Sequence, residues 1–486
     1  MTTIRKSLTA GIIFTGLAKY SGIIINILIG AILARLLTPV EFGIVAIVTV
    51  FITFFNLLSD FGIGPAIVQN KSLDSKDIES VFMFSIVLGI LFALVFFFSS
   101  SLISQFYNEP ELKQISKILA LSVLFFSIQI VPKALAQKNL KFKELGVVTV
   151  GVQLFSGILA IILAFYGFSY YALVFQSVSV GFFTLISFYW LNPVKVKWKI
   201  RKASLKKILG FSTYQFMFNF VNYFSRNADN LLIGKFFSPV LLGFYDKSYR
   251  LMMMPVANLT NVITPVLLPV LANHQDNKQL VYNTYLKVIK LLALIGFPLS
   301  VFLYYSAGEI ITIIYGEQWL ASIPVFKILA LTVGIQMVLS SSGSVLQAVN
   351  RADLLFVSGL ISSVVMLMGI SYGIFIGKSL ESVGYGLIVA FSINFFQGFY
   401  FLIYRALKLS LFSFFKVFLF PLFLALGMIV SLELLSFAVV QNIYLSLFFK
   451  IVVGGFTFVL LFISKKENRR WIIEQLKRRI LSKFFK

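Results

Sequence analysis

What most constrains this chain is a succession of apolar segments, each of about twenty residues or more, running almost from end to end. A segment of that length crosses a bilayer as a helix. In hydrocarbon every backbone amide must find its partner within the segment, which leaves helices as the natural solution. Composition agrees with this. Of 486 residues, 59% are hydrophobic and only 12% charged, with a mean hydropathy of +0.94. That is too little charge to coat a water-exposed surface. The expected fold is an all-α polytopic membrane protein of about fourteen transmembrane helices.

The formal net charge of +24 raises nucleic acid as a partner, but the cations are distributed differently. They lie mainly between the spans, in alternate loops. Loops expected inside carry Lys71 and Lys76, then Lys138, Lys141 and Lys143, then the run NPVKVKWKIRKASLKK. Later inner loops carry Lys278, Arg351, Arg405 and Lys408, whereas the outer ones hold Arg35, Lys235 and Lys378 with Glu109, Glu111, Glu309 and Glu317. This is a positive-inside pattern, predicting an even number of spans with both termini cytoplasmic and no nucleic-acid partner. The basic N-terminus leads into an apolar run too long for a signal peptide, so it reads as the first span. There is no Cys, His274 is the only His, and no GxxxxGK[ST] loop occurs. No disulfide, cofactor, metal site, ATP site or catalytic site is expected.

An internal repeat organises the chain. GAILARLLTPVEFGIVA from Gly30 matches NLLIGKFFSPVLLGFYD from Asn230, aligning Arg35 with Lys235, Thr38 with Ser238, Pro39 with Pro239 and Gly43 with Gly243. Pro65 and Pro265 keep the same offset of 200 residues. The predicted organisation is two pseudo-symmetric six-helix lobes, 1–191 and 208–405, joined by a basic cytoplasmic linker at 192–207. Two further spans occupy 406–464. The tail 465–486 places Ile473, Leu476, Ile480 and Phe484 on one helical face among basic residues, as an amphipathic helix on an anionic leaflet would. Repeated membrane halves with polar interiors are the ground plan of a transporter.

The polar interior is most developed in the span opening the second lobe. Gln215, Asn219, Asn222, Arg226 and Asp229 with Asn230 recur at steps of three or four, so they share one helix face. The next span adds Asp246, Lys247 and Arg250. At about 1.5 Å per residue, Arg226, Asp229 and Arg250 fall roughly 10–15 Å inside the membrane. Charges at that depth face a water-filled cavity or pair with one another. Three cations meet two acids here, leaving a surplus of one cation. Arg226 and Arg250 are candidate substrate contacts, and Asp229 and Asp246 are candidate ion-coupling or structural pairing groups. Lys19, near the midplane of the first span, and Asn26, seven residues on, complete the cationic and amide set with Asn219 and Asn222. Asp60 is read either as a proton or cation site or as a helix-end acid.

The segment ending the first span, R-L-L-x-P-x-x-F-G from Arg35, and D-F-G-x-G from Asp60 resemble the N-terminal signature of the polysaccharide-transporter branch of the multidrug/oligosaccharidyl-lipid/polysaccharide (MOP) exporter superfamily, the Wzx-type flippases. The resemblance extends over nearly the whole chain in length, two-lobe repeat and basic tail. It implies two lobes in a V around a cationic cavity. It also implies transfer of undecaprenyl-pyrophosphate-linked oligosaccharide between leaflets by alternating access, with no covalent chemistry. Membrane lipids and polysaccharide polymerase or export proteins would be the partners. Three rivals carry distinguishing features. A cation-coupled multidrug antiporter of the same superfamily would need a prominent acidic cation site in the first lobe. A membrane glycosyltransferase or polymerase would need a large external loop or an acidic pair, and a lipid II flippase would differ in substrate alone.

Overall fold

The computed structural model describes residues 2–466 apart from positions 71, 199 and 439, and also residue 469; the side chains of 2–15, 17–18, 209–222, 224–226, 261–262 and 265–266 lie outside the described set. The expected amphipathic helix over 465–486 therefore falls almost wholly outside it. Every regular element is helical among the described residues. The order begins α1 (Thr2–Leu36), α2 (Pro39–Asp60), α3 (Ile63–Gln69), α4 (Ser75–Tyr107), α5 (Glu111–Lys138), α6 (Phe142–Phe165) and α7 (Tyr171–Leu191). Then come α8 (Lys202–Phe236), α9 (Pro239–Ala272), α10 (Lys278–Tyr305), α11 (Ala307–Tyr315), α12 (Ile323–Ala330), α13 (Val333–Leu339) and α14 (Ser342–Ala348). The chain closes with α15 (Ala352–Ser371), α16 (Leu380–Phe399), α17 (Leu411–Phe415), α18 (Leu419–Ser436) and α19 (Ile443–Ser464).

Among the described residues eleven helices are long and apolar enough to cross a membrane, or twelve if Glu317–Ala330 and Val333–Ala348, bent by 48°, form one broken span. The expected fourteen include two more, α8 and α9. At 35 and 34 residues each extends about 50 Å, ample for a bilayer of about 30 Å. Both contain side chains outside the described set, and α8 also carries the polar stripe read in the sequence.

Local signals set the helix ends. Thr38 caps α2: its Oγ1 accepts from the Glu41 amide at 3.4 Å, and its own amide donates to Glu41 Oε2 at 2.6 Å. Asp74 and Asp77 build the same reciprocal box on α4. The D-F-G-x-G motif is where α2 stops. Phe61 and Gly62 take left-handed conformations, φ 38° and 73°, before α3 begins, and glycine adopts this geometry at little cost. The repeat is visible in the helix boundaries. α1 ends at Leu36 and α2 begins at Pro39; α8 ends at Phe236 and α9 begins at Pro239. Proline at a first helical position forfeits an amide that had no intrahelical partner anyway.

The chain packs as two compact units, Met1–Asp246 and Lys247–Lys486. In the first, α5 packs against α4 and α7, and α1 against α6. The basic loops are clipped together at one end. Lys138 donates to the Asn70 carbonyl at 2.9 Å, and Lys141 to the Leu191 carbonyl and Asn192 Oδ1 at 2.9 and 3.0 Å. The linker segment joins them: Ser204 Oγ and Lys207 Nζ each donate to buried Asp77 at 2.6 Å, and Lys197 pairs with Glu79 at 2.6 Å. In the second unit α10 packs on α13 and α18, α15 on α16, and α18 on α19. Lys450 of α19 pairs with Glu309 of α11. α19 turns Phe448, Phe456, Val459 and Leu460 outward, as a lipid-facing helix does.

Candidate functional site

Inside the apolar helices, among the described residues, two of the gatherings of polar groups contain a carboxylate singled out in the sequence. The first is on α8 and α9. Asp229 is only 4% exposed. Its Oδ2 accepts the hydroxyl of fully buried Tyr245 at 2.7 Å, and its Oδ1 accepts the Asn230 amide at 2.8 Å. A buried carboxylate needs such donors, because leaving it bare costs far more than a neutral group. Asp246 and Lys247, next along α9, are also buried, while Arg250 is exposed. In the second unit the Lys247 ammonium lies 5.1 Å from the Tyr315 ring centroid and 5.7 Å from that of Trp319. Two aromatic faces thus bear on one cation.

The side chains of Gln215, Asn219, Asn222 and Arg226 lie outside the described residues. Lys19 is partly buried and Asn26 exposed, both on α1, and neither has a hydrogen-bond or ion-pair partner among the described residues. The sequence did not reveal Tyr245 as the partner of Asp229. The two are sixteen residues apart across a helix turn, and no periodic signal links them.

The second place is a cavity of about 550 Å³ between α2–α3 and α5. Asn56 and Asp60 line one wall, and Gln129, Lys133 and Gln137 the other. Asp60 Oδ1 accepts the Gly64 amide at 3.3 Å, serving the first turn of α3. Asn56 Oδ1 and Gln129 Oε1 are buried with no hydrogen-bond partner among the described residues. The α5 row was legible, since Gln129, Lys133 and Gln137 fall at successive steps of four and so share a face; only Asp60 had been singled out.

Comparison with known proteins places this architecture. Residues 32–324 match the family model described as polysaccharide biosynthesis protein. That span contains both R-L-L-x-P-x-x-F-G and D-F-G-x-G, so the match agrees with the kinship those motifs suggested. The chain is 28% identical over 442 residues to the teichuronic acid biosynthesis protein TuaB of Bacillus subtilis, covering 88% of this chain and 89% of the relative. It is 26% identical over 347 residues to the lipopolysaccharide biosynthesis protein WzxC of Escherichia coli, covering 70% of each. The fold is similar to the lipid II flippase MurJ in an inward closed conformation, with a TM-score of 0.76 at 15% identity over 95% of this chain and 100% of that one. The protein is an all-α, multi-pass membrane protein, and it belongs to the polysaccharide biosynthesis protein family.

Proposed function

We propose that this protein is a flippase that carries an undecaprenyl-pyrophosphate-linked oligosaccharide from the inner to the outer leaflet of a bacterial cytoplasmic membrane, by alternating access and without covalent chemistry. The observation that carries the reading is the burial of Asp229, Asp246 and Lys247 in membrane helices of a chain from a polysaccharide biosynthesis family. Such groups are expensive in a bilayer and are retained for substrate or ion passage. A lipid-linked sugar has a diphosphate and many hydroxyls, neither of which crosses hydrocarbon bare. Arg226, Arg250 and Lys19 are assigned to the diphosphate, since guanidinium forks match phosphate oxygens. Asn26, Asn219 and Asn222 are assigned to sugar hydroxyls, and Asp229, Asp246 and Asp60 to charge balance or ion coupling.

Both termini are cytoplasmic in this reading. The lobes 1–191 and 208–405 are the moving bodies, linked through 192–207, and polymerase or export proteins receive the product. The names of relatives support it: lipopolysaccharide biosynthesis for WzxC and lipid II flippase for MurJ. Deleting the gene and extracting polyprenyl-linked lipids tests the proposal by mass spectrometry. A complete repeat unit should accumulate on the inner leaflet. No accumulation, with new sensitivity to cationic drugs, would point instead to a multidrug antiporter.

A further inference from the structure

The cavity between α2–α3 and α5 has a lining of mixed polar and apolar chemistry. Two buried amide oxygens, Asn56 Oδ1 and Gln129 Oε1, lack donors among the described residues, and Gln129 is only 4% exposed. Each such oxygen costs on the order of 1–3 kcal/mol while it stays unpaired. Turned toward the cavity that their side chains line, either oxygen gains a donor from a ligand hydroxyl, which relieves that cost. The volume, about 550 Å³, lies in the range of small-molecule sites and far exceeds the roughly 30 Å³ share of one water. A lone metal ion would leave most of it empty, and the Lys133 ammonium on the same wall would oppose a cation.

The lining also mixes roles. Asp60 accepts, Lys133 donates, the Asn and Gln amides do both, and Phe126 adds an apolar ring face. A pyranose presents the complement: hydroxyls that donate and accept around its rim, with a C–H face to lie on an aromatic ring. Val68, Gln69, Lys133 and Gln137 are exposed, so the cavity is open. It lies beside Asn70, where Lys138 and the other basic loops are clipped together.

We propose that this cavity is a sugar subsite, holding one or two residues of the glycan at the cytoplasmic end of the first unit while the diphosphate is held elsewhere. The inference rests on the flippase reading above. Asn56 and Gln129 take hydroxyls, Lys133 takes a ring or carboxylate oxygen, and Phe126 supports a ring face.

The chain has no cysteine, so single-cysteine reporters are clean. Gln137→Cys is labelled with a membrane-impermeant methanethiosulfonate in inverted membrane vesicles, with Gln69→Cys as a second reporter on the opposite wall. Two probes are added: the lipid-linked repeat unit extracted from the deletion strain, and bare undecaprenyl diphosphate. The glycan-bearing lipid should slow labelling several-fold and the bare lipid should not. Adding Asn56→Leu and Gln129→Leu, in protein of unchanged gel-filtration profile, should abolish that protection. Equal protection by both lipids would overturn the sugar assignment in favour of the diphosphate. No protection by either, in vesicles that still translocate the glycan lipid, would overturn the subsite and leave the flippase reading standing. Vesicles and cells that neither move nor accumulate the lipid would remove both.

Discussion

Gly43 and Gly243, two hundred positions apart, hold reciprocal places in the structure. A Cβ on Gly43 would lie 1.7 Å from the Pro239 carbonyl oxygen, and one on Gly243 would lie 2.1 Å from that of Pro39. Each glycine lets the first turn of the other repeat's helix approach, so the pseudo-symmetry seen in the sequence is also a physical contact between its two copies. The atoms met are backbone, which cannot rotate aside. Gly43→Ala or Gly243→Ala should therefore destabilise by about 1–3 kcal/mol, the usual cost of overpacking. Detergent-solubilised protein should show the loss as a lower unfolding temperature, whereas Gly30→Ala, inside α1 with open space around it, should not lower it.

Tyr245 is the side-chain donor to Asp229 Oδ2. Tyr245→Phe removes one hydroxyl and leaves the buried carboxylate short of a partner, at a cost of about 1–3 kcal/mol. Combining it with Asp229→Asn should recover part of the loss, because a neutral amide tolerates the missing donor better than a carboxylate. Thermal unfolding of the single and double variants gives the coupling. Strictly additive losses would exclude the hydrogen bond as the cause.

The assignment of Arg226, Arg250 and Lys19 to the diphosphate predicts that replacing each with Gln abolishes glycan export at equal expression. Surface glycan is measured alongside the inner-leaflet pool of lipid-linked repeat units. Undiminished export with all three replaced would refute the assignment.

Glu309, outside the spanning helices, links α11 to α19. Burial alone would push its carboxyl up, but the bonds from Lys450 and Ser446 outweigh that and hold it below the ordinary carboxylate range. A carboxyl lowered in the folded state contributes stability that is present above its unfolded value, about 4.3 for Glu. That contribution is lost as pH falls through the lower folded value. Unfolding temperature should therefore drop on acidification below about pH 4 more steeply in the native protein than in Glu309→Gln. At pH 7 Lys450→Met, which strands a largely buried carboxylate, should cost about 2–4 kcal/mol.

Much of the architecture was written in the chain because membrane burial acts on whole segments. Length and apolarity marked the spans. Prolines at 39 and 239 marked the repeated helix starts, and the D-F-G-x-G motif fell at the break between α2 and α3. The apolar signal was weakest at α8, where the polar stripe offsets it. The site was only partly readable. Asp229, Asp246 and Lys247 stood out as charges in apolar surroundings, but Tyr245 as the donor to Asp229 did not. Nor did the cavity shared by Asn56 with Gln129 and the tie of Glu309 to Lys450, 141 positions apart.

The reason is physical. In a soluble helix apolar periodicity tells which face turns inward, because the other face meets water. In a bilayer the outward face meets hydrocarbon, so both faces are apolar and the periodicity carries little information about packing. The sequence by itself determined that the chain crosses the membrane many times, where its repeat lies and that charged residues fall within its apolar stretches. Which helices meet, which buried groups satisfy one another and which amide oxygens find no donor among the described residues depends on close contacts between distant segments, and only the tertiary structure decided those.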